Sequence, residues 1–483
     1  MWCMRRYIGF TVVFFLVAGL FAQHAVPSLE PLFLYESQGE TLTGEDCIRA
    51  GLEFSLCPEE SETGRAVLLK YAELEAEVLS PEVAGLPVME KGEKILTLMY
   101  ERVLSQYSSN QTRIDVMFLN GTYNCVSSSV LYFALARAAG LQVTGQETPQ
   151  HAFCTLHTDG KKIDVETTNP SGFNPGVKKV VEKTERSTRY FMVPKKYYSG
   201  RKEVGEHKFV SLVGRNMVSM MNDKRDFDHA VPLSVACMVF ASADGKEARA
   251  ATEADFYTMA GNYAVELDQR RGESEQALVW LESISARWGI SQELEKKYNT
   301  IAYNCAVNYL KAKDYDSAKR AFEEHRLCLT QKNALDIEIM IFNAWLDDES
   351  VKMPPEEAIA FLHEARENPL SSEKKVASRL DSLEEYTWFR TLKPVFDRGD
   401  YLAAASIADE GLRFVPRSKQ LNTIRNQCLQ NHAIDVHNAF ADLANAGRYE
   451  EAIAVVQDGL KVNPNSSMLK NDLKKVQDFL KKK

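Results

Sequence analysis

The sequence is marked first by what it lacks. Its nine cysteines, Cys3, Cys47, Cys57, Cys125, Cys154, Cys237, Cys305, Cys328 and Cys428, are scattered through 483 residues without a CxxC pair. Zinc sites are built from closely spaced Cys and His ligands, so a zinc site is not expected. There is no glycine-rich nucleotide loop, no flavin fingerprint and no acidic loop of the calcium-binding kind, so no cofactor and no metal is inferred. Positive charge is in deficit: 58 Lys and Arg stand against 67 Asp and Glu, a formal net charge of −9. That argues against a sequence-independent grip on nucleic acid. Beyond residue 22, no apolar run approaches the ~20 residues that a membrane-spanning helix needs. With 45% apolar and 26% charged residues, the composition is that of a folded, soluble protein. At roughly 100–200 residues per domain, the length suggests two to four domains.

The amino terminus reads as an export signal. Arg5 and Arg6 precede an uncharged run, Tyr7 to Ala22 (YIGFTVVFFLVAGLFA), which ends on a small residue. The run is short for a membrane span, and the pattern predicts a secretory signal over residues 1–22, cut after Ala22. An uncleaved anchor is the alternative. The mature protein is then expected outside the cytoplasm, periplasmic or secreted, with no membrane association. Export permits a Cys47–Cys57 disulfide, which sequence leaves open. Cys237, Cys305, Cys328 and Cys428 lie in apolar helical patterns and are expected to be buried thiols.

After residue 205 one pattern recurs. An amphipathic helix is followed by a polar turn with an aromatic, and an alanine comes three residues later. The clearest copies are KAKDYDSAKRAF (Tyr315, Ala318), DRGDYLAAASIA (Gly399, Tyr401, Ala404) and NAGRYEEAIAVV (Gly447, Tyr449, Ala452). Pro416 and Pro464 follow the last two at the same offset, and Trp388 precedes Tyr401. Weaker copies carry Ala230, Ala277 and Ala358. These residues resemble the tetratricopeptide repeat, in which the small residue lets two helices approach and the proline ends the second one. The alanines here are about 40 to 48 apart, against a family period of about 34, so the copies are degenerate. The resemblance implies an all-α helical solenoid over 206–483 that takes a protein or peptide partner on its concave face.

The first half carries a candidate thiol site. GEKILTLMYERVLSQY is an amphipathic helix, with Ile95, Leu98, Met99, Val103 and Leu104 on one face. In GTYNCVSSSVLYFALARAAGL, Asn124 is a natural N-cap, Cys125 opens a helix and Gly140 stops it. A cysteine there meets unpaired N–H groups and the positive end of the helix dipole, which favour an anion and could hold an oxyanion. Downstream, PQHAFCTLHTDGKKIDVETTNP reads as a β-hairpin turning at Asp159-Gly160. A two-residue turn pairs Thr158 with Lys161 and Thr155 with Asp164. It makes Glu166 the diagonal neighbour of His151, at about 7–8 Å between backbones, and puts Asp164 one pleat further away. Glu166 is therefore the preferred orienting carboxylate, with Asp164 as the alternative. Cys154 points to the opposite face and is read as structural.

The stretches GTYNCVSSSVLYFALARAAGL, QHAFCTL and IDVETT resemble the transglutaminase-like domain of the papain-type superfamily. That family places a Cys at a helix start, an Arg and a Gly near the helix end (here Arg137 and Gly140), a His on the next strand and a carboxylate in a V-D-P-T setting. The last reads Val165-Glu166-Thr167-Thr168 here, with Glu for Asp and Thr for Pro. The resemblance implies an α+β transglutaminase-like domain over 23–205, its core about 85–175, ahead of the tetratricopeptide-like solenoid. It also implies acyl transfer at an amide, with Cys125 as nucleophile, His151 as acid and base and Glu166 as orienter. A non-catalytic scaffold whose first domain is a relic is the rival expectation. Lys178, Lys179, Lys183, Lys195 and Lys196 make a basic stretch that reads as a solvated face.

Overall fold

Amphipathic helical periodicity fills most of the sequence, and the computed structural model follows it: the chain is 72% helix and 7% strand. It describes residues 26–35, 41–176, 179–183, 187–191 and 198–481. The expected signal segment, residues 1–22, and Lys178, Lys195 and Lys196 lie outside the described residues. Two compact units divide between Lys297 and Tyr298.

The first unit opens with helices α1 (Gly44–Phe54), α2 (Glu62–Val78), the single turn α3 (Pro81–Ala84) and α4 (Val88–Arg102). Then come β1 (Gln106–Tyr107), α5 (Ile114–Asn120), β2 (Thr122–Tyr123) and α6 (Cys125–Ala138). Strands β3 (Val143–Thr148), β4 (His151–Thr158), β5 (Lys161–Val165), β6 (Lys179–Lys183), β7 (Thr188–Phe191) and β8 (Lys202–Val204) follow. Helices α7 (Glu206–Lys224), α8 (Phe227–Ala241), α9 (Lys246–Val265) and α10 (Ser274–Trp288) lead to α11 (Gln292–Lys311), within which the boundary falls.

This corrects the expected fold class. The first domain is not the α+β transglutaminase-like domain that its motifs suggested. Among the described residues, strand is confined to small sheets: β1-β2, β6-β7, and a four-stranded sheet in the order β5-β4-β3-β8. Helices carry most of the unit, and α7 to α10 pack with it. The reason is one of extent. The motif residues dictate one helix and one hairpin, whereas the surrounding sequence has helical periodicity.

The middle of the unit is built on local signals. The Asn124 side chain accepts from the Val126 and Ser127 N–H groups, both at 3.0 Å, and Ser127 Oγ accepts from the Asn124 N–H at 3.0 Å. These reciprocal bonds fix the start of α6. At its end, the Gly140 N–H donates to Arg137 O and the Leu141 N–H to Ala136 O, both 2.9 Å, with Gly140 at φ +72°. That double closure needs a left-handed residue, which glycine adopts without a Cβ clash. Helix α6 packs on α1, α4 and β4 and is buried along most of its length. In the hairpin, Asp159 and Gly160 both have positive φ, and Thr158 pairs with Lys161, Thr155 with Asp164 and Cys154 with Val165.

The second unit contains α12 (Tyr315–His325), α13 (Gln331–Lys352), α14 (Pro355–Ala365), α15 (Lys374–Asp397), α16 (Tyr401–Phe414), α17 (Lys419–Asn445), α18 (Tyr449–Val462) and α19 (Ser467–Leu480). From α14 onward each helix packs on its successor. The motif alanines Ala318, Ala358, Ala404 and Ala452 are fully buried, as are Ala230 and Ala277 in the first unit. Gly399 and Gly447 take positive φ in the turns, and Lys313 does so in the equivalent turn before α12. Cys47, Cys57, Cys237, Cys305 and Cys428 are buried free thiols. Cys328 is exposed, contrary to expectation, because α12 ends at His325 and the residue falls in the turn that follows. Among the described residues no helix is long and apolar enough to cross a membrane, and no group of His, Cys, Asp and Glu is arranged to hold a metal.

Candidate active site

Cys125 is the first residue of α6, and its side chain is partly open to solvent. His151 is the first residue of β4, set there by the two-residue Pro149-Gln150 turn that joins β3 to β4. The two side chains line the same cleft, close enough for the thiol to act on the imidazole's protonation. His151 Nε2 lies 2.7 Å from Glu166 Oε2. The structure thus brings Cys125, His151 and Glu166 together. Asp164 is held elsewhere: Arg201 grips it with two N–H groups at 2.8 and 2.9 Å, and Thr155 Oγ1 donates to it at 2.9 Å.

Glu166 is 4% exposed, so its carboxylate depends on protein partners. Oε1 accepts from the Thr168 N–H at 3.2 Å and from the Thr168 hydroxyl at 2.6 Å, which leaves Oε2 for the imidazole. Burial pushes the His151 imidazole down. Hydrogen bonds to Cys125 and Glu166 and their negative charges outweigh it, raising the imidazole to about 10. The environment of the ring thus favours its protonated form.

Residues outside the motif reading fix this cluster. The Thr167 hydroxyl is 2.8 Å from both Ser128 Oγ and Ser129 Oγ, and Tyr100 donates to Thr167 O at 2.9 Å. Ser129 also donates to Ala152 O, and Ser128 to Asn124 O. The loop carrying Glu166 is thereby tied to the helix carrying Cys125 and to the strand carrying His151. Three consecutive serines in an otherwise apolar helix are the sequence signal for this network. Cys154 is fully buried on the opposite face of β4, where its thiol donates to Ser129 O at 3.3 Å, and burial pushes that thiol well up.

The expected oxyanion cradle is smaller than the helix start implied. The Asn124 side chain takes up the Val126 and Ser127 N–H groups, and the Ser128 N–H bonds to Asn124 O. Of the first turn, the Cys125 N–H is left over among the described residues.

Cys125 and His151 open onto a cleft of about 630 Å³. One wall comes from Tyr107, Ser109 and the β3–β4 turn, the other from α7, α8 and α9. The second wall is charged but balanced. Glu147 pairs with Lys208 at 2.9 Å and with Arg215 at 2.5 Å, and Arg215 pairs with Asp255 at 2.9 Å.

No family model and no curated protein matches the chain. Among solved structures the chain is similar to one described as the crystal structure of menin that reveals the binding site for Mixed Lineage Leukemia (MLL) protein. The identity is 13%, 72% of this chain and 91% of that chain are covered, and the TM-score is 0.27.

Proposed function

We propose that the protein is a cysteine-dependent acyl-transfer enzyme acting on an amide. The observation that carries this is a single cleft lined by Cys125, at the start of its helix, and by His151, whose ring is bonded to the buried Glu166. The Cys125 thiolate adds to the amide carbonyl carbon. His151 gives a proton to the departing nitrogen, the C–N bond breaks, and a thioester remains on Cys125. Attack by water, assisted by His151, gives hydrolysis or deamidation, and attack by an amine gives a cross-link. Glu166 keeps the ring in one orientation and favours its protonated form. In this reading the motif resemblance to transglutaminase-like proteins concerns the reacting residues, and the second unit is an arm that holds a protein or peptide partner. The protein works after export, outside the cytoplasm.

Alkylation with iodoacetamide, followed residue by residue by mass spectrometry, tests the proposal. Cys125 is expected to react near neutral pH faster than the exposed Cys328, and to lose that advantage in His151→Ala. If Cys125 reacts no faster than Cys328, the catalytic reading is wrong and a partner-binding scaffold takes its place.

A further inference from the structure

A tetrahedral oxyanion is commonly met by two donors, and α6 offers one. The Val126 and Ser127 N–H groups are already bonded to Asn124, so among the described residues the Cys125 N–H is the one left open in that turn. A second donor must come from elsewhere in the cleft. Tyr107 lines it together with Cys125 and His151. Its backbone is set by parallel pairing with Tyr123, the second residue before Cys125, and its ring meets the Tyr123 ring edge-on at 5.9 Å. The side chain is half-exposed, and its hydroxyl has no hydrogen-bond partner among the described residues. Burial raises this phenol, and the negative charges of Cys125 and Glu166 raise it further, so the hydroxyl stays a protonated donor within electrostatic reach of the sulfur.

We propose that the Tyr107 hydroxyl is the second oxyanion donor of this site, bonding with the Cys125 N–H to the carbonyl oxygen under attack. This rests on the reading of Cys125 as an acyl-transfer nucleophile. As the carbon–sulfur bond forms, the carbonyl π pair moves onto oxygen, and both donors meet that negative charge. When the pair returns, the bond to the leaving group breaks and the acyl group stays on sulfur. Tyr107 keeps its proton throughout. It is a catalytic residue by direct contact with the reacting atoms.

Two reagents separate this role from a general effect on the thiol. Acylation by p-nitrophenyl acetate passes through an oxyanion and releases p-nitrophenolate, whereas alkylation by iodoacetamide displaces iodide at a saturated carbon and makes none. Both are followed at Cys125 by mass spectrometry in wild type and Tyr107→Phe, which keeps the ring against Tyr123. Acylation of the variant is expected to slow by about 10²–10³-fold, the usual effect of losing one oxyanion donor, with alkylation unchanged. Equal slowing of both reactions would assign Tyr107 to the thiol's reactivity and overturn the proposal. So would no slowing of either. If wild-type Cys125 reacts with neither reagent, the acyl-transfer reading itself fails and this inference goes with it.

Discussion

Around Cys125, buried polar atoms find partners far away in the chain, whereas beyond Tyr298 the helices meet mainly through alanine, glycine and short apolar clusters. Glu166 is held by Thr168, by the Gly172 carbonyl, which accepts the Glu166 N–H, and by His151. Its neighbour Thr167 is held by Tyr100, Ser128 and Ser129. In the second unit the typical contact joins consecutive helices. Ala404 and Ala405 meet Cys428, and Gly411 lies against Trp388 and Leu421. The difference is one of substitutability. A repeated local contact can be weakened at one place and leave its neighbours intact. A cluster of three side chains set by bonds from several elements has no spare copy.

The hardest test of that contrast is Gly172→Ala. A Cβ at Gly172 would lie 1.8 Å from Glu166 O and 2.8 Å from Asn169 O, both backbone atoms. A rotamer change cannot relieve such a clash, so the loop between Glu166 and Gly172 has to open. The expected cost is at or above the top of the about 1–3 kcal/mol range for overpacking. Thermal unfolding of the first unit should fall accordingly, and the dependence of Cys125 alkylation on His151 should vanish with it. A variant with unchanged stability and labelling would show that the loop does not set the site.

What could be read from the sequence follows the same divide. Signals confined to a few neighbouring residues were legible: the Asn124 cap, the Gly140 stop, the Asp159-Gly160 turn and the buried alanines at helix crossings. The hairpin turn ranked Glu166 ahead of Asp164 beside His151, but the observed β4–β5 ladder ends at the Cys154–Val165 pair, and Glu166 is placed by the loop closed through its N–H bond to Gly172 O. The partners of Thr167 were not legible. Tyr100 and Ser128 lie far from it in sequence, and Thr167 and Thr168 read only as departures from a motif. Arg201, which engages Asp164, likewise sits beyond the motif. The fold class failed for a related reason. Its motifs specify one helix and one hairpin and say nothing about the helices that make up most of the unit.

A smaller effect separates the regions by pH. The His151 imidazole is raised from 6.5 to about 10, chiefly by its bonds to Cys125 and Glu166 against the opposing pull of burial. A raised imidazole binds its proton more tightly in the folded state. Its contribution to stability is complete below the unfolded value of about 6.5 and is lost as pH rises through about 10. The gap in unfolding temperature between wild type and His151→Gln should therefore narrow across that window, for the first unit alone. A gap that stays constant from pH 6 to 10 would mean that the imidazole does not hold its proton through the two bonds described.

The mildest expected effect lies in the second unit and completes the contrast. Ala404 is fully buried where α16 crosses its neighbours, close to Ala405 and Cys428 with Phe396 and Tyr401 alongside. Ala404→Leu puts three more carbons into that crossing. The helices must spread, at about 1–3 kcal/mol. The change should appear in unfolding followed by the fluorescence of Trp388, which packs in the adjoining cluster. Because successive helices carry their own small cores, the strain should stay within the second unit, and Cys125 should alkylate at the wild-type rate. A slower Cys125 would mean that spreading one helix crossing disturbs the Cys125, His151 and Glu166 cluster, and the two regions would then differ in composition but not in independence.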